Sequence, residues 1–168
     1  MYVGFNLGYA SGLKIGNTGS GDAKDVRYLA TFPSFGIGLC DSDNDNSWSD
    51  GNFDLVTEGE FITFLGPGAG HSMGLAVLGR YNFLSFGKFV PYGEIGVGVG
   101  FIESSLNTQA DGLAFYPQGG LGVNYLISDH LSLGLSYRYH HISNKGTKAP
   151  NTGINTNLGL IGLQYYFD

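Results

Sequence analysis

The chain has few charged residues, one cysteine and no long apolar run. Only 8 of its 168 residues are Lys or Arg, against 14 Asp and Glu, which gives a net charge of −6. No basic cluster is available to follow a phosphate backbone, so we expect no nucleic-acid partner. Cys40 stands alone, which excludes an intrachain disulfide and favours a small semi-buried side chain over a catalytic thiol. The lack of 18 consecutive apolar residues excludes a membrane-spanning helix.

A signal peptide is not visible either. Met1 leads directly into the alternating segment YVGFNLGYASG, so a targeting segment either has been removed or the chain stays inside the cell.

The residues that are abundant are 29 Gly, 12 Phe and 11 Tyr. Glycine without a three-residue period excludes collagen, and the aromatic content excludes disorder. The length suits one domain, which we place at 1–168.

Apolar and small or polar residues alternate along most of the chain. In 73–83, for example, the odd positions read Met, Leu, Val, Gly, Tyr and Phe, whereas the even positions read Gly, Ala, Leu, Arg and Asn. This period of two predicts strands, and no segment has a helical period. The predicted strands are 2–14, 26–39, 53–65, 72–84, 90–103, 113–127, 131–143 and 156–167.

Eight strands of this kind predict an all-β fold, an eight-stranded antiparallel transmembrane β-barrel. The links 85–89 and 128–130 are short and 104–112 and 144–155 are long, as expected for two different rims. Each strand is long enough to cross a bilayer. A lipocalin-type barrel would place the apolar face inside, but glycine and polar residues fit a narrow lumen better. The charged residues with inward parity are Glu58, Glu60, Glu94, Arg80 and Arg138.

The pentapeptide GHSMG at 70–74 matches G-x-S-x-G, the nucleophile elbow of α/β-hydrolases. That elbow requires a strand before the serine and a helix after it, whereas a strand follows here. We therefore predict that 66–72 is a Gly/Pro loop and that Ser72 is an ordinary loop residue. The G-x-G-x-G at 96–100 precedes no helix, so it is not a dinucleotide site.

The end of the seventh strand carries the strongest candidate for chemistry. His141 and Ser143 continue the outward row of Tyr137 and Tyr139, and their Cα atoms are about 7 Å apart on one face. A histidine beside a serine is the minimum for activating a hydroxyl nucleophile, and this position predicts a lipid substrate. Interfacial polar residues that only contact headgroups are the alternative.

The segments VPYGEIGVGVGF and LSYRYHHISNKGTKAPNTGIN make the chain resemble the lipid A 3-O-deacylase (PagL) family of outer-membrane enzymes. The resemblance is best over about 80–168, and GRYNF at 79–83 fits it as well. It implies a barrel in the bacterial outer membrane that cleaves the ester-linked 3-hydroxyacyl chain from position 3 of lipid A. The implied partner is lipid A of the outer leaflet. We expect no cofactor and no metal.

The resemblance also implies roles for individual residues. Ser143 corresponds to the nucleophile and His141 to the general base, while Asn144 and Gly146 correspond to the oxyanion hole. At the third triad position this chain has Asn155, where well-known members have glutamate. An amide accepts a hydrogen bond from the imidazole but carries no charge, so a slower esterase is expected rather than an inactive one.

Other polar residues are expected to have structural roles. His140 has lumen parity and should pack inside the barrel, and His130 should be solvated in a tight turn. The acidic run at 41–50 begins like a calcium loop but lacks its glycine and final glutamate, so a solvated turn is expected. Two functions compete with the esterase: a structural or adhesive barrel without activity, and a small channel.

Overall fold

The computed structural model describes residues 1–17, 19–40 and 51–167; the side chain of Cys40 and the acidic run at 41–50, with its possible calcium loop, lie outside this description. Its one short helix is a 3₁₀ turn at Gly21–Asp25. None of the helices in the described ranges is long and apolar enough to span a membrane. The strands are β1 (Tyr2–Gly12), β2 (Arg27–Cys40), β3 (Asn52–Gly66), β4 (Gly70–Asn82), β5 (Phe89–Ser104), β6 (Gly112–Ser128), β7 (Leu131–Ile142) and β8 (Ile154–Tyr166).

The eight strands form one closed antiparallel barrel. Each strand pairs with the next, and β1 pairs with β8 to close the sheet, from Tyr2 opposite Tyr166 to Gly12 opposite Thr156. Each described strand is therefore paired along both of its edges, as a membrane-spanning sheet requires. The predicted fold is confirmed.

The odd positions of the strands face outwards and form an apolar exterior. This belt is the surface that a barrel presents to lipid, and the even positions fill the interior. Large apolar side chains that are more than 40% exposed occur on every strand, for example Phe5, Leu29, Phe61, Leu75, Ile95, Leu121, Leu135 and Ile161.

The interior has two layers, of which the sequence predicts one. The five predicted inward charges are all buried, and Arg138 joins Glu58 and Glu94 at 2.5 and 2.7 Å. Nearer the rim with the long connections, however, the interior is apolar rather than small and polar. Residues close to the strand ends form this layer because they pack against one another under the loops; among them are Tyr28, Phe32, Ile62, Phe64, Ile102, Tyr116, Ile142, Ile154 and Leu158.

The prediction of a loop over 66–72 is wrong for Gly66, which ends β3, and for the last three residues, which belong to β4. β4 begins at Gly70, which pairs with Phe64 and Ser104, so the turn needs only residues 67–69. Ser72 lies in the strand with inward parity and is 2% exposed. Its hydroxyl donates to the Phe101 carbonyl at 3.0 Å and lies 2.8 Å from the Tyr116 hydroxyl. GHSMG is therefore part of a barrel strand and does not form a nucleophile elbow.

Candidate active site

The pairing of β7 with β8 brings the candidate residues together on the outside of the barrel. His141 lies directly opposite Asn155, and Tyr139 lies opposite Asn157. The even neighbours His140 and Ile142 are fully buried, whereas His141 and Ser143 are partly exposed. Because side chains alternate along a strand, both candidates lie on the lipid-facing side.

A short hydrogen bond joins the imidazole of His141 to the side chain of Asn155. The distance from His141 Nδ1 to Asn155 Oδ1 is 2.5 Å, and the Tyr139 hydroxyl donates to the same oxygen at 2.7 Å. An amide oxygen can only accept, so Nδ1 must carry the proton. The lone pair of His141 is then on Nε2, which is the tautomer that a general base needs.

Asn155 is held beneath the connection between β1 and β2. It is 1% exposed, and its carbonyl accepts a hydrogen bond from the amide of Leu13 at 2.7 Å. Gly19, with a φ of +64°, packs so close that a Cβ there would be 3.0 Å from Asn155 Nδ2. This connection shields the acceptor from solvent, a role that the sequence does not suggest.

Gly153 packs against the imidazole ring. A Cβ at this position would lie 2.7 Å from His141 Cε1, and its φ of +70° also favours glycine. Any side chain here would push the ring from its place opposite Asn155. The roles of Gly153 and Tyr139, like that of Gly19, do not follow from the sequence, although Tyr139 lies on the same face of β7 as His141.

Ser143 follows β7 and is fixed through its backbone. Its amide and carbonyl exchange two hydrogen bonds with those of Phe115, at 3.1 and 2.8 Å. In the part of the chain that the structure describes, the side chains of Ser143 and His141 share a face without a hydrogen bond between them. Such contacts are often long in enzymes without substrate and tighten when it binds.

Asn144 and Gly146 organise the loop that follows β7. The Gly146 amide donates to Asn144 Oδ1 at 2.9 Å, and Asn144 Nδ2 donates to the carbonyl of Lys148 at 2.7 Å. The Asn144 amide lies 3.3 Å from Asn151 Oδ1. Both backbone amides assigned to an oxyanion hole therefore have partners within the loop in this conformation.

The loops 105–111 and 143–153 meet at the rim above this site. Gln109 forms an isolated bridge with Asn151, and the amide of Ala110 donates to the carbonyl of Pro150 at 2.8 Å. The 3₁₀ turn joins them, because Asp22 accepts hydrogen bonds from residues of the 105–111 loop. The site therefore lies at the rim formed by the long connections.

His140 and His130 occupy the positions that the sequence predicts for them. His140 is fully buried in the lumen, with Nδ1 2.8 Å from the Tyr28 hydroxyl and Nε2 3.3 Å from Glu60. His130 is exposed in the turn between β6 and β7, at the opposite rim. The His140 side chain faces the lumen and His130 lies at the opposite rim, so neither shares the outward face that carries His141 and Ser143.

Comparison with solved structures identifies the same barrel in several proteins. The crystal structure of the outer membrane enzyme PagL is 18% identical, covers 96% of this chain and 98% of that chain, and has a TM-score of 0.67. Neisserial surface protein A is 16% identical, with 99% and 96% coverage and a TM-score of 0.66. OprG from Pseudomonas aeruginosa is 12% identical, with 99% and 95% coverage and a TM-score of 0.57. At these identities the structures establish the fold alone.

The amino-acid sequence, compared with family models, establishes the family. No curated protein matches the chain significantly. A family model described as lipid A 3-O-deacylase (PagL), however, matches residues 25–164, which is most of the chain. Together with the closed barrel and its apolar exterior, this match identifies a bacterial outer-membrane protein. The chain belongs to the lipid A 3-O-deacylase (PagL) family.

Proposed function

We propose that this protein is an esterase that removes the 3-O-linked 3-hydroxyacyl chain from lipid A. The observation that carries the proposal is the hydrogen bond from His141 Nδ1 to Asn155 Oδ1 on the lipid-facing side of the barrel. It leaves Nε2 as the basic nitrogen, two residues from a serine on the same face. The family match supports the acyl ester at position 3 of lipid A as the bond that is cleaved.

The reaction follows from these roles. Ser143 Oγ attacks the acyl carbonyl while His141 Nε2 takes the hydroxyl proton. The proton then passes to the sugar oxygen as the ester bond breaks, and the acyl chain remains on Ser143. Water, activated by the same imidazole, attacks the acyl-enzyme, releasing the 3-hydroxy fatty acid and returning the proton to Ser143.

The backbone amides of Asn144 and Gly146 are the proposed oxyanion donors. In the structure each has a partner within the loop, Asn151 Oδ1 for the first and Asn144 Oδ1 for the second. The proposal therefore requires these two hydrogen bonds to yield when the tetrahedral oxyanion forms, since a charged acceptor binds an amide more strongly than a neutral one.

The alternative is a structural or adhesive barrel without activity. It is favoured by one observation, the neutral amide of Asn155 at the position where a carboxylate would stabilise the imidazolium. A channel has less support, because buried ion pairs such as Arg138 with Glu58 occupy the interior.

The decisive experiment compares the unmodified protein with Ser143→Ala on purified lipid A in detergent. We expect the variant to lose on the order of 10³-fold or more of the activity, because the serine hydroxyl that shares the outward face of His141 is removed. Mass spectrometry of the released 3-hydroxy fatty acid measures the effect. Ser105→Ala is the control, since Ser105 lies in a neighbouring loop and donates to the Ala69 carbonyl. Equal trace release by Ser143→Ala and the parent would establish the inactive barrel instead.

A further inference from the structure

Lys145 has an unusual backbone conformation within the loop that carries the proposed oxyanion donors. Its φ is +52°, and among the described residues it is the only one other than glycine with a positive φ. Lysine is disfavoured in this region because its Cβ crowds the backbone. Strained conformations of this kind concentrate at functional sites, where the surrounding structure maintains them. Lys145 lies between Asn144 and Gly146, the two residues whose amides are the proposed oxyanion donors.

The side chain of Lys145 lies over the residue that pairs with Ser143. Its Nζ is 4.5 Å from the centre of the Phe115 ring, and Phe115 exchanges two backbone hydrogen bonds with Ser143. Phe115 has outward parity, so the ammonium group lies on the exterior of the barrel, next to the proposed nucleophile. The aromatic face holds the cation there without neutralising it.

Lys145 has no carboxylate partner in the ranges that the structure describes. This distinguishes it from Arg80 and Arg138, which are paired with buried glutamates, and from Lys24, which lies 3.9 Å from Asp25. Lys148, in the same loop, donates to the carbonyl of Asp111 at 3.3 Å. An exposed cation beside the proposed active-site serine is therefore available to an anion from outside the protein.

We propose that Lys145 binds the phosphate at position 1 of lipid A and thereby selects the phosphorylated glycolipid. This inference rests on the proposed function. The phosphate at position 1 and the ester at position 3 are substituents of the same sugar ring, so a substrate whose ester reaches Ser143 brings this phosphate to the same loop. An ammonium group binds phosphate as a point charge, and the contact strengthens at an interface that is partly shielded from water.

The test measures kcat/KM for lipid A and for the same lipid A from which mild acid has removed the phosphate at position 1. Lys145→Asn removes the charge with a residue that tolerates the left-handed conformation, and Lys145→Arg keeps the charge. Lys88→Asn is the matched control, because Lys88 lies 5.9 Å from the Tyr125 ring near the opposite rim. We expect the preference for the phosphorylated form to fall about tenfold in Lys145→Asn. It should persist in Lys145→Arg and Lys88→Asn.

Two results would overturn the proposal: an unchanged preference in Lys145→Asn, or an equal fall in Lys88→Asn. The first would also arise if Lys145 bound the phosphate of a neighbouring phospholipid, since that contact does not distinguish the two forms of lipid A. If the parent protein hydrolyses neither form, the proposed function fails. Calorimetry then measures the binding of both forms of lipid A to Ser143→Ala and to the double variant that also carries Lys145→Asn. A tenfold fall in the preference for the phosphorylated form supports the phosphate site, and an unchanged preference overturns it.

Discussion

Asn155 presents one amide oxygen to two donors, the Nδ1–H of His141 and the hydroxyl of Tyr139. This arrangement fixes the orientation of the imidazole and its tautomer. It does not stabilise the imidazolium that forms when His141 takes a proton, because the amide carries no charge. In the proposed mechanism Asn155 therefore orients His141, as the third residue of a triad does, but supplies no negative charge to stabilise the imidazolium.

We expect Asn155→Glu to preserve or raise the rate of deacylation, by up to about tenfold, because a carboxylate near the imidazolium stabilises the transition state. Asn155→Asp tests the same effect with a side chain of the original size. Asn155→Leu should lower the rate because the acceptor for His141 is lost. The measurement is release of 3-hydroxy fatty acid from purified lipid A.

Asn155 is 1% exposed, so a carboxylate there loses solvation and can destabilise the barrel. Heat-modifiable gel mobility must therefore accompany each rate measurement. If folded Asn155→Leu protein is as active as the parent, Asn155 does not orient the general base.

At the scale of single residues, parity was the useful signal in the sequence. Alternation along β7 was enough to place His141 and Ser143 on one outward face and His140 in the lumen. The contacts of Gly153 and Gly19 could not be predicted in this way. They depend on how two loops fold over the barrel rim, and a period of two carries no information about loops.

At the scale of strands, β4 shows how a composition signal can mislead. The run GPGAG at 66–70 indicates a turn, and it predicts a loop over the whole of 66–72. Antiparallel pairing instead continues to Gly70, because each added residue gains ladder hydrogen bonds with β3 and β5. Ser72 is consequently an interior residue whose hydroxyl bonds to β5 and β6.

We expect Ser72→Ala to leave deacylation within about threefold of the parent, since Ser72 faces the lumen and not the proposed site. The lost hydrogen bonds to Phe101 and Tyr116 should cost about 1 kcal/mol of stability. Activity on lipid A and the urea midpoint of unfolding are the two measurements. A loss of activity as large as that of Ser143→Ala would instead indicate that Ser72 takes part in the reaction.

At the scale of the whole molecule, the barrel combines an apolar exterior with an interior of two layers. The exterior and the inward charges follow from strand parity, and both were predicted. The apolar layer beneath the loops was not, because its residues share the even parity of the polar ones and only their height in the barrel separates them. Height depends on the stagger between strands, which a single sequence does not show.

Removing one member of the buried ion pairs in the lumen should lower the stability of the barrel strongly, because its partner is left as an uncompensated charge. Arg138 is buried with Glu58 and Glu94, and Glu94 also pairs with Arg80 at 2.9 Å. Arg138→Met leaves Glu58 buried without its cation, so we expect a loss of about 3–5 kcal/mol. Adding Glu58→Gln removes the uncompensated charge and should restore more than half of that loss. The urea midpoint, followed by heat-modifiable mobility, measures both variants. A double variant no more stable than Arg138→Met would mean that packing of the long Arg138 side chain, and not charge compensation, stabilises the lumen.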